Sequence, residues 1–179
     1  MATPMKEFYV LLQLLLYINY AEQALNTVQP ISHGSSSDLQ FVKVNMTIKD
    51  QAFDVDVIIF EAISCPLLHL AITQTSRGTV KKWIDKSISI CDLKKRVIEN
   101  PYAYMIIDLF KKHANFTVQC DYSPGTYTIR NFRPGSAATP FSPFVYRPNS
   151  YLMANVSFLS ANGKDLMRIW CNMKVVRVK

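Results

Sequence analysis

Cys91-Asp-Leu-Lys-Lys-Arg96, then Asn100-Pro-Tyr-Ala-Tyr-Met-Ile-Ile-Asp-Leu-Phe-Lys-Lys-His-Ala-Asn-Phe-Thr117, then Cys120-Asp-Tyr-Ser-Pro-Gly-Thr-Tyr-Thr-Ile-Arg-Asn-Phe132: over these residues the hydrophobic period changes from that of a helix to that of a strand. Asn100 is a good N-cap, and Pro101 suits the first helical position. Tyr102, Met105, Ile106, Leu109 and Phe110 follow the i, i+3, i+4, i+7, i+8 spacing of an apolar stripe. Lys111, Lys112 and His113 fall in the last turn, where cations complement the helix dipole. The spacing predicts one amphipathic helix at about 101–114, covering the face of a sheet. A strand over Thr126 to Phe132 follows it.

Working outward, the rest of the chain alternates as half-buried strands do. Phe53, Val55, Val57 and Ile59 share one face of a run whose other face carries Asp54 and Asp56. Leu152, Ala154, Val156 and Phe158 repeat the pattern with Asn155 and Ser157 outward. Asn162-Gly163 then supplies a turn, and Met167, Ile169, Cys171, Met173 and Val175 line one face of a last strand. Phe41 to Thr47, Leu67 to Thr73 and Val80 to Ile90 are further strands. The fold class expected is mainly β: a sandwich of about seven strands with the one helix packed on it. Pro30 to Asp38, polar and without period, is expected to be an N-terminal arm or loop.

The four cysteines, Cys65, Cys91, Cys120 and Cys171, allow three pairings. Cys91 and Cys120 flank the helix, and a bridge between them would constrain the unfolded chain by a few kcal/mol. Cys65 and Cys171 are then left to pair with each other, or to remain as buried thiols. Cysteines arranged this way belong in an oxidising compartment. No Cys-x-x-Cys occurs, and His33, His69 and His113 stand in unrelated contexts, so neither a metal, a cofactor nor a catalytic triad is expected. The chain is expected not to be an enzyme.

The start of the sequence agrees with export. A short basic segment precedes Phe8 to Ile18, which is apolar apart from Gln13 and has the length of a signal-peptide core. Cleavage is expected after Ala21 or Ala24, so that residues 1–21 are a signal peptide and 22–179 one domain of common size. Asn45, Asn115 and Asn155 each begin an Asn-x-Ser/Thr sequon without proline and are candidate glycosylation sites. The formal net charge is +7, with basic clusters at Lys81-Lys82, Lys94-Lys95-Arg96 and Lys111-Lys112. Such clusters suit anionic surfaces or simply a solvated exterior. Nucleic acid is not an expected partner of a secreted chain without a binding motif.

The cysteine after a strand, the helix ending in Leu109-Phe-Lys-Lys112, the asparagine shortly before Cys120 and the Pro124-Gly-Thr-Tyr-Thr-Ile-Arg-Asn-Phe132 strand together resemble a large family of small secreted insect proteins, expanded in flies and of unknown function. That family is similar to the MD-2-related lipid-recognition (ML) superfamily and to the insect CheA and CheB chemosensory proteins. The resemblance is best from Ser89 to Phe132 and thin before residue 80. It implies an immunoglobulin-like, ML-type sandwich whose sheets splay to hold a lipid or other apolar small molecule, with a chemosensory or pheromone-related role. The ligand-pocket candidates are then the inward residues Val55, Val57, Ile59, Leu68, Leu70, Ile72, Phe132, Val156, Phe158, Ile169 and Met173. Phe141 and Phe144, in the proline-rich loop beyond Phe132, are candidates for its mouth. The same inward faces would equally fill a solid core, leaving a secreted glycoprotein that acts through its surface on a membrane receptor or matrix partner.

Overall fold

Strands dominate the computed structural model, which describes residues 26–95, 101–134, 147 and 149–177. In chain order they are β1 (Asn26–Ser37), β2 (Val42–Lys49), β3 (Ala52–Ile59), β4 (Ile63–Ser64), β5 (Leu67–Ser76) and β6 (Thr79–Ser89). Two helices follow, α1 (Ile90–Lys95) and α2 (Pro101–His113). Then come β7 (Asp121–Tyr122), β8 (Gly125–Phe132), β9 (Ser150–Leu159) and β10 (Asp165–Arg177). All pairings are antiparallel. One sheet has the order β1-β10-β9-β5-β6, the other β2-β3-β8, and β4 pairs with β7 apart from both.

Short-range chemistry sets these pairings. The hairpin from β9 to β10 turns at Gly163, whose φ of 84° is one that glycine adopts without steric cost. Lys49 pairs with Ala52, so only Asp50 and Gln51 make the β2–β3 turn, both at positive φ as a type I′ turn requires. Along β3 the alternation holds: Phe53, Val55 and Ile59 are buried, and Asp56 on the other face ion-pairs with Arg130 of β8.

The sandwich closes on one side and splays on the other. β1 packs beside β2, and the Ser35 hydroxyl donates to Val44 O across the sheets at 3.4 Å. Opposite, β8 and the β5–β6 edge stand apart, and the two helices fill that flank. Buried side chains fall into two clusters. One contains Val28, Val44, Phe53, Leu152, Met173 and Val175, and the other joins Val42, Leu68 and Leu166 to Ile90, Leu93, Ala103 and Phe110 of the helices.

Three expectations need correction. The mainly β sandwich is the fold observed, but the described residues form ten strands rather than about seven, the additions being β1 and the two-residue β4 and β7. Among the described residues there are two helices rather than one, because the Val80 to Ile90 run leaves the strand at Ser89 and turns into α1. Pro30 to Asp38 is not a free arm but most of an edge strand. An edge strand needs pairing on one side only, so it tolerates Pro30 at a register shift and a polar sequence. Gly34 is there for packing: a Cβ at that position would lie 2.5 Å from Cζ2 of Trp170, its partner on β10.

Candidate ligand cavity

Inward residues that should be buried are only half buried in the middle of the sandwich, among them Val57, Ile129, Ala154, Val156 and Phe158. Besides their contacts with the core they face a cavity of about 250 Å³. Met46, Phe53, Val55 and Val57 line it from one sheet, and Leu68, Leu70, Ile72, Leu152, Ala154 and Met173 from the other. Ile106, Leu109 and Phe110 of α2 close the splayed side. The wall is almost wholly apolar. A cavity of 150 Å³ with such a lining stays dry and takes up benzene, so this space holds about ten carbon atoms on the same scale.

Two local devices shape the wall. Between β3 and β8 the register slips, so that Val55 opposes Ile129 but Phe53 opposes Phe132. The extra residue forms a bulge: Asn131 takes a φ of 51° and donates its N–H to Asp54 Oδ1 at 2.8 Å. Without it Asn131 would point inward; with it Phe132 does. The second device docks α2 on the β8 edge. His113 Nδ1 lies 3.0 Å from Arg130 O and must donate, since a carbonyl can only accept. Asn115 N–H donates to Thr128 O at 3.0 Å, and Thr128 N–H returns a bond to Asn115 Oδ1 at 2.7 Å. The helix thereby becomes a third wall, a role that its apolar stripe signals but does not separate from simple core packing.

Of the residues singled out in the sequence, Val55, Val57, Leu68, Leu70 and Ile72 lie on this cavity, as do Phe132, Val156, Phe158, Ile169 and Met173. Ile59 lies instead on a smaller void of about 50 Å³ beside it. Phe141 and Phe144 fall outside the described residues, as do the signal segment and Asn100. Sequence reasoning did not single out Met46, Phe53, Ile106, Leu109, Ile129 and Ala154 as pocket residues. Phe53, Ile106, Leu109 and Ala154 lie on faces that it read as apolar, whereas for Met46 and Ile129 it expected a strand without assigning a face.

The cysteines are arranged differently from the pairing expected by elimination. Cys91 Sγ lies 3.1 Å from Cys65 Sγ, and Cys65 N–H donates to Cys120 O at 2.8 Å, so three thiols share one corner. Cys171 is elsewhere, buried on the inner face of β10 and bordering the cavity. The pairing of Cys65 with Cys171 is corrected accordingly: Cys65 stands beside Cys91. Hydrogen bonds from Cys120 and Cys65 lower the pKa of Cys91, while Cys120 is pushed up to about 11. Cys91 is thus the preferred thiolate and can bridge to either neighbour. Peptide mapping of the protein purified under oxidising conditions should find Cys91 bridged to Cys65 or Cys120 and Cys171 free; a bridge from Cys65 to Cys171 would contradict the arrangement. Burial raises the Cys171 pKa from 9.0 to about 12. Below pH 9 both folded and unfolded chains keep that proton, and between 9 and 12 only the folded chain does. Its contribution to stability is therefore complete below pH 9 and is lost as pH rises towards 12. Urea titrations across that range should show a smaller alkaline loss in Cys171→Ala than in the wild type.

The three sequons differ in setting. Asn45 is exposed on β2, and Asn115 is exposed after α2 with its Oδ1 engaged by Thr128. Asn155 sits on the central strand of the larger sheet between Ala71 and Trp170, and its Oδ1 is buried without a hydrogen-bond partner. Glycopeptide mapping should find a glycan at Asn45 and none at Asn155; the reverse pattern would contradict this placement. Much of the basic charge is neutralised locally. Lys82 pairs with Asp85 at 2.6 Å and Lys112 with Asp108 at 2.7 Å, while Lys81 lies over the Trp83 ring. Lys82 and His69 hold Asp85 down to a pKa of about 2.

Among the described residues no three His, Cys, Asp or Glu side chains are grouped to hold a metal ion, and no helix is long and apolar enough to cross a membrane. Residues 68–152, less than half of the chain, match the model of a family described as protein of unknown function (DUF1091). That segment contains the Ser89 to Phe132 stretch and four of the cavity-lining elements, β5, α2, β8 and the start of β9. No curated protein matches the sequence. Among solved structures, the chain is similar to chicken MD-1 complexed with lipid IVa, with 10% identity and a TM-score of 0.34 over 82% of this chain and 96% of that one.

Proposed function

We propose that this chain is a secreted binding protein that takes one lipid chain or another apolar small molecule into the space between its sheets, serving chemosensing. The observation that carries this is the apolar cavity of about 250 Å³, walled by both sheets and α2. A filled core would have no such space, which disfavours a protein acting through its surface alone. Export is supported by the apolar run from Phe8 to Ile18 and by the three sequons. The chemosensory role rests on the resemblance carried by Ser89 to Phe132.

Binding rather than catalysis fits the wall. Its polar side chains include the Cys171 thiol and the Tyr127 phenol, and the phenol is turned to donate to Ser123 O at 2.8 Å. Neither has a base beside it on the wall. The driving force is burial of methylenes, each contributing about 0.8 kcal/mol, or about fourfold in affinity.

The test is to express the chain in a secreting host, extract the purified protein for mass spectrometry, and titrate it with an apolar fluorescent probe. A co-purified apolar compound, or saturable probe uptake at one site, is expected. Neither would leave the surface-acting glycoprotein as the function. Transcript confined to sensory organs would support the chemosensory part, and transcript confined to gonads would overturn that part alone.

A further inference from the structure

The cavity of about 250 Å³ and the void of about 50 Å³ share a wall made of Val57, Phe116, Tyr127, Phe158 and Met167. Four of these sit on strands, where ladder bonds fix the backbone. Tyr127 is further held by its hydroxyl bond to Ser123 O. Phe116 alone belongs to the irregular segment between α2 and β7. Its ring centroid lies 5.2 Å from that of Phe110, which borders only the large cavity. On the other side it lies 6.1 Å from Tyr122, which borders only the small void. Phe116 therefore stands between the two spaces, half buried, with aromatic neighbours on both sides.

We infer that Phe116 is the end-stop of the cavity and sets the length of chain that it accepts. The inference rests on the carrier function proposed above and adds a specificity-determining residue to it. On the scale at which 150 Å³ admits a six-carbon ring, the small void is worth about two carbons. Deleting the Phe116 ring would free further room in line with it. The stop works by exclusion: up to it, each added methylene is buried; beyond it, the next one has to stay in water or displace an aromatic ring from three partners.

The experiment measures displacement of a bound fluorescent probe by straight-chain fatty acids of increasing length, on wild type, Phe116→Ala and Phe116→Leu. For the wild type, affinity should rise about fourfold per carbon to a best length near about ten carbons and then stop rising. On this scale Phe116→Ala should lengthen the best chain by up to about eight carbons, six for the ring and two for the void, and Phe116→Leu, which removes three carbons, by up to about five. Leucine keeps an apolar side chain in place, so it reports even if the alanine variant does not fold. A wild type that binds chains, with variants whose best length is unchanged, would overturn the end-stop and leave the carrier function standing. A wild type that binds no chain of any length would overturn both.

Discussion

Replacing Ala154 with phenylalanine is expected to lower the affinity for a ten-carbon fatty acid by at least about a hundredfold, while the melting temperature stays the same or rises. Ala154 lies at the middle of β9 with its methyl group on the cavity wall. A phenyl ring there would occupy more than half of the 250 Å³ if six carbons need about 150 Å³. Room for about four carbons would remain, so about six methylenes at 0.8 kcal/mol each would lose their burial. The hundredfold figure allows for side chains moving aside. Stability should not suffer, because the added ring fills a void rather than displacing packed atoms. Leu70→Phe, on the neighbouring strand β5, serves as an independent blocker. Displacement titrations with scanning calorimetry check both variants, and full affinity in two folded blockers would show that the ligand does not lie between the sheets.

The largest expected loss of stability comes from the opposite operation, opening a hole where there is none. Leu93 of α1 is fully buried and Ile90 nearly so, and both belong to the cluster with Ala103, Phe110 and Tyr122. Leu93→Ala removes three carbons from a packed site on a short helix that has few other anchors. It should cost about 2–5 kcal/mol in urea unfolding. Because this cluster seats α2, and α2 is the third wall of the cavity, probe affinity should fall as well. By contrast, Leu70→Ala at the cavity wall should cost less, since its side chain already faces a void on one side. Equal losses for the two substitutions would mean that the cavity is packed in solution.

How much of this was legible in the sequence follows from which forces act locally. The inward face Phe53, Val55, Val57, Ile59 and its counterparts on β9 and β10 was legible because successive residues of a strand point to opposite sides, although Ser157, expected outward, is buried within the larger sheet. The Ile106, Leu109 and Phe110 part of the α2 stripe and the basic last turn also read correctly, since both are set within a few turns of one helix. β1 was not legible. Its pairing energy comes from the free edge of β10, over a hundred residues away, and its one packing signal, Gly34, looks like an ordinary loop glycine. The bulge at Arg130-Asn131 left a trace, since Tyr127, Ile129 and Phe132 break a strict period of two. That trace has meaning only once Asp54 is known to lie opposite. The cysteine corner was out of reach, because Cys120 reaches Cys65 through the β4–β7 pairing and Cys91 reaches it through the end of the β5–β6 ladder, where Ile90 N–H donates to Pro66 O.

The cavity itself was the least legible feature. An inward Val beside a void and an inward Val beside another Val have the same sequence pattern. What separates them is the distance between sheets, set by α2 lying between β8 and the β5–β6 edge, by the bulge that turns Phe132 inward and by the hydrogen bonds of His113 and Asn115. Composition fixes none of these. The pocket candidates could therefore be chosen by face but not by depth, which is how Ile59 came to lie on the smaller void.

The central claim is that one apolar chain lies between the two sheets, against α2. The most direct measurement is NMR of the glycan-trimmed protein with decanoic acid labelled along its chain, read as contacts between chain protons and protein methyl groups. Contacts are predicted to Val55 and Ile129 on one sheet, Leu70 and Ile72 on the other, and Ile106 and Leu109 on α2, within a single bound pose. Contacts confined to exposed apolar residues such as Val80 and Tyr151, with none to both sheets at once, would contradict it.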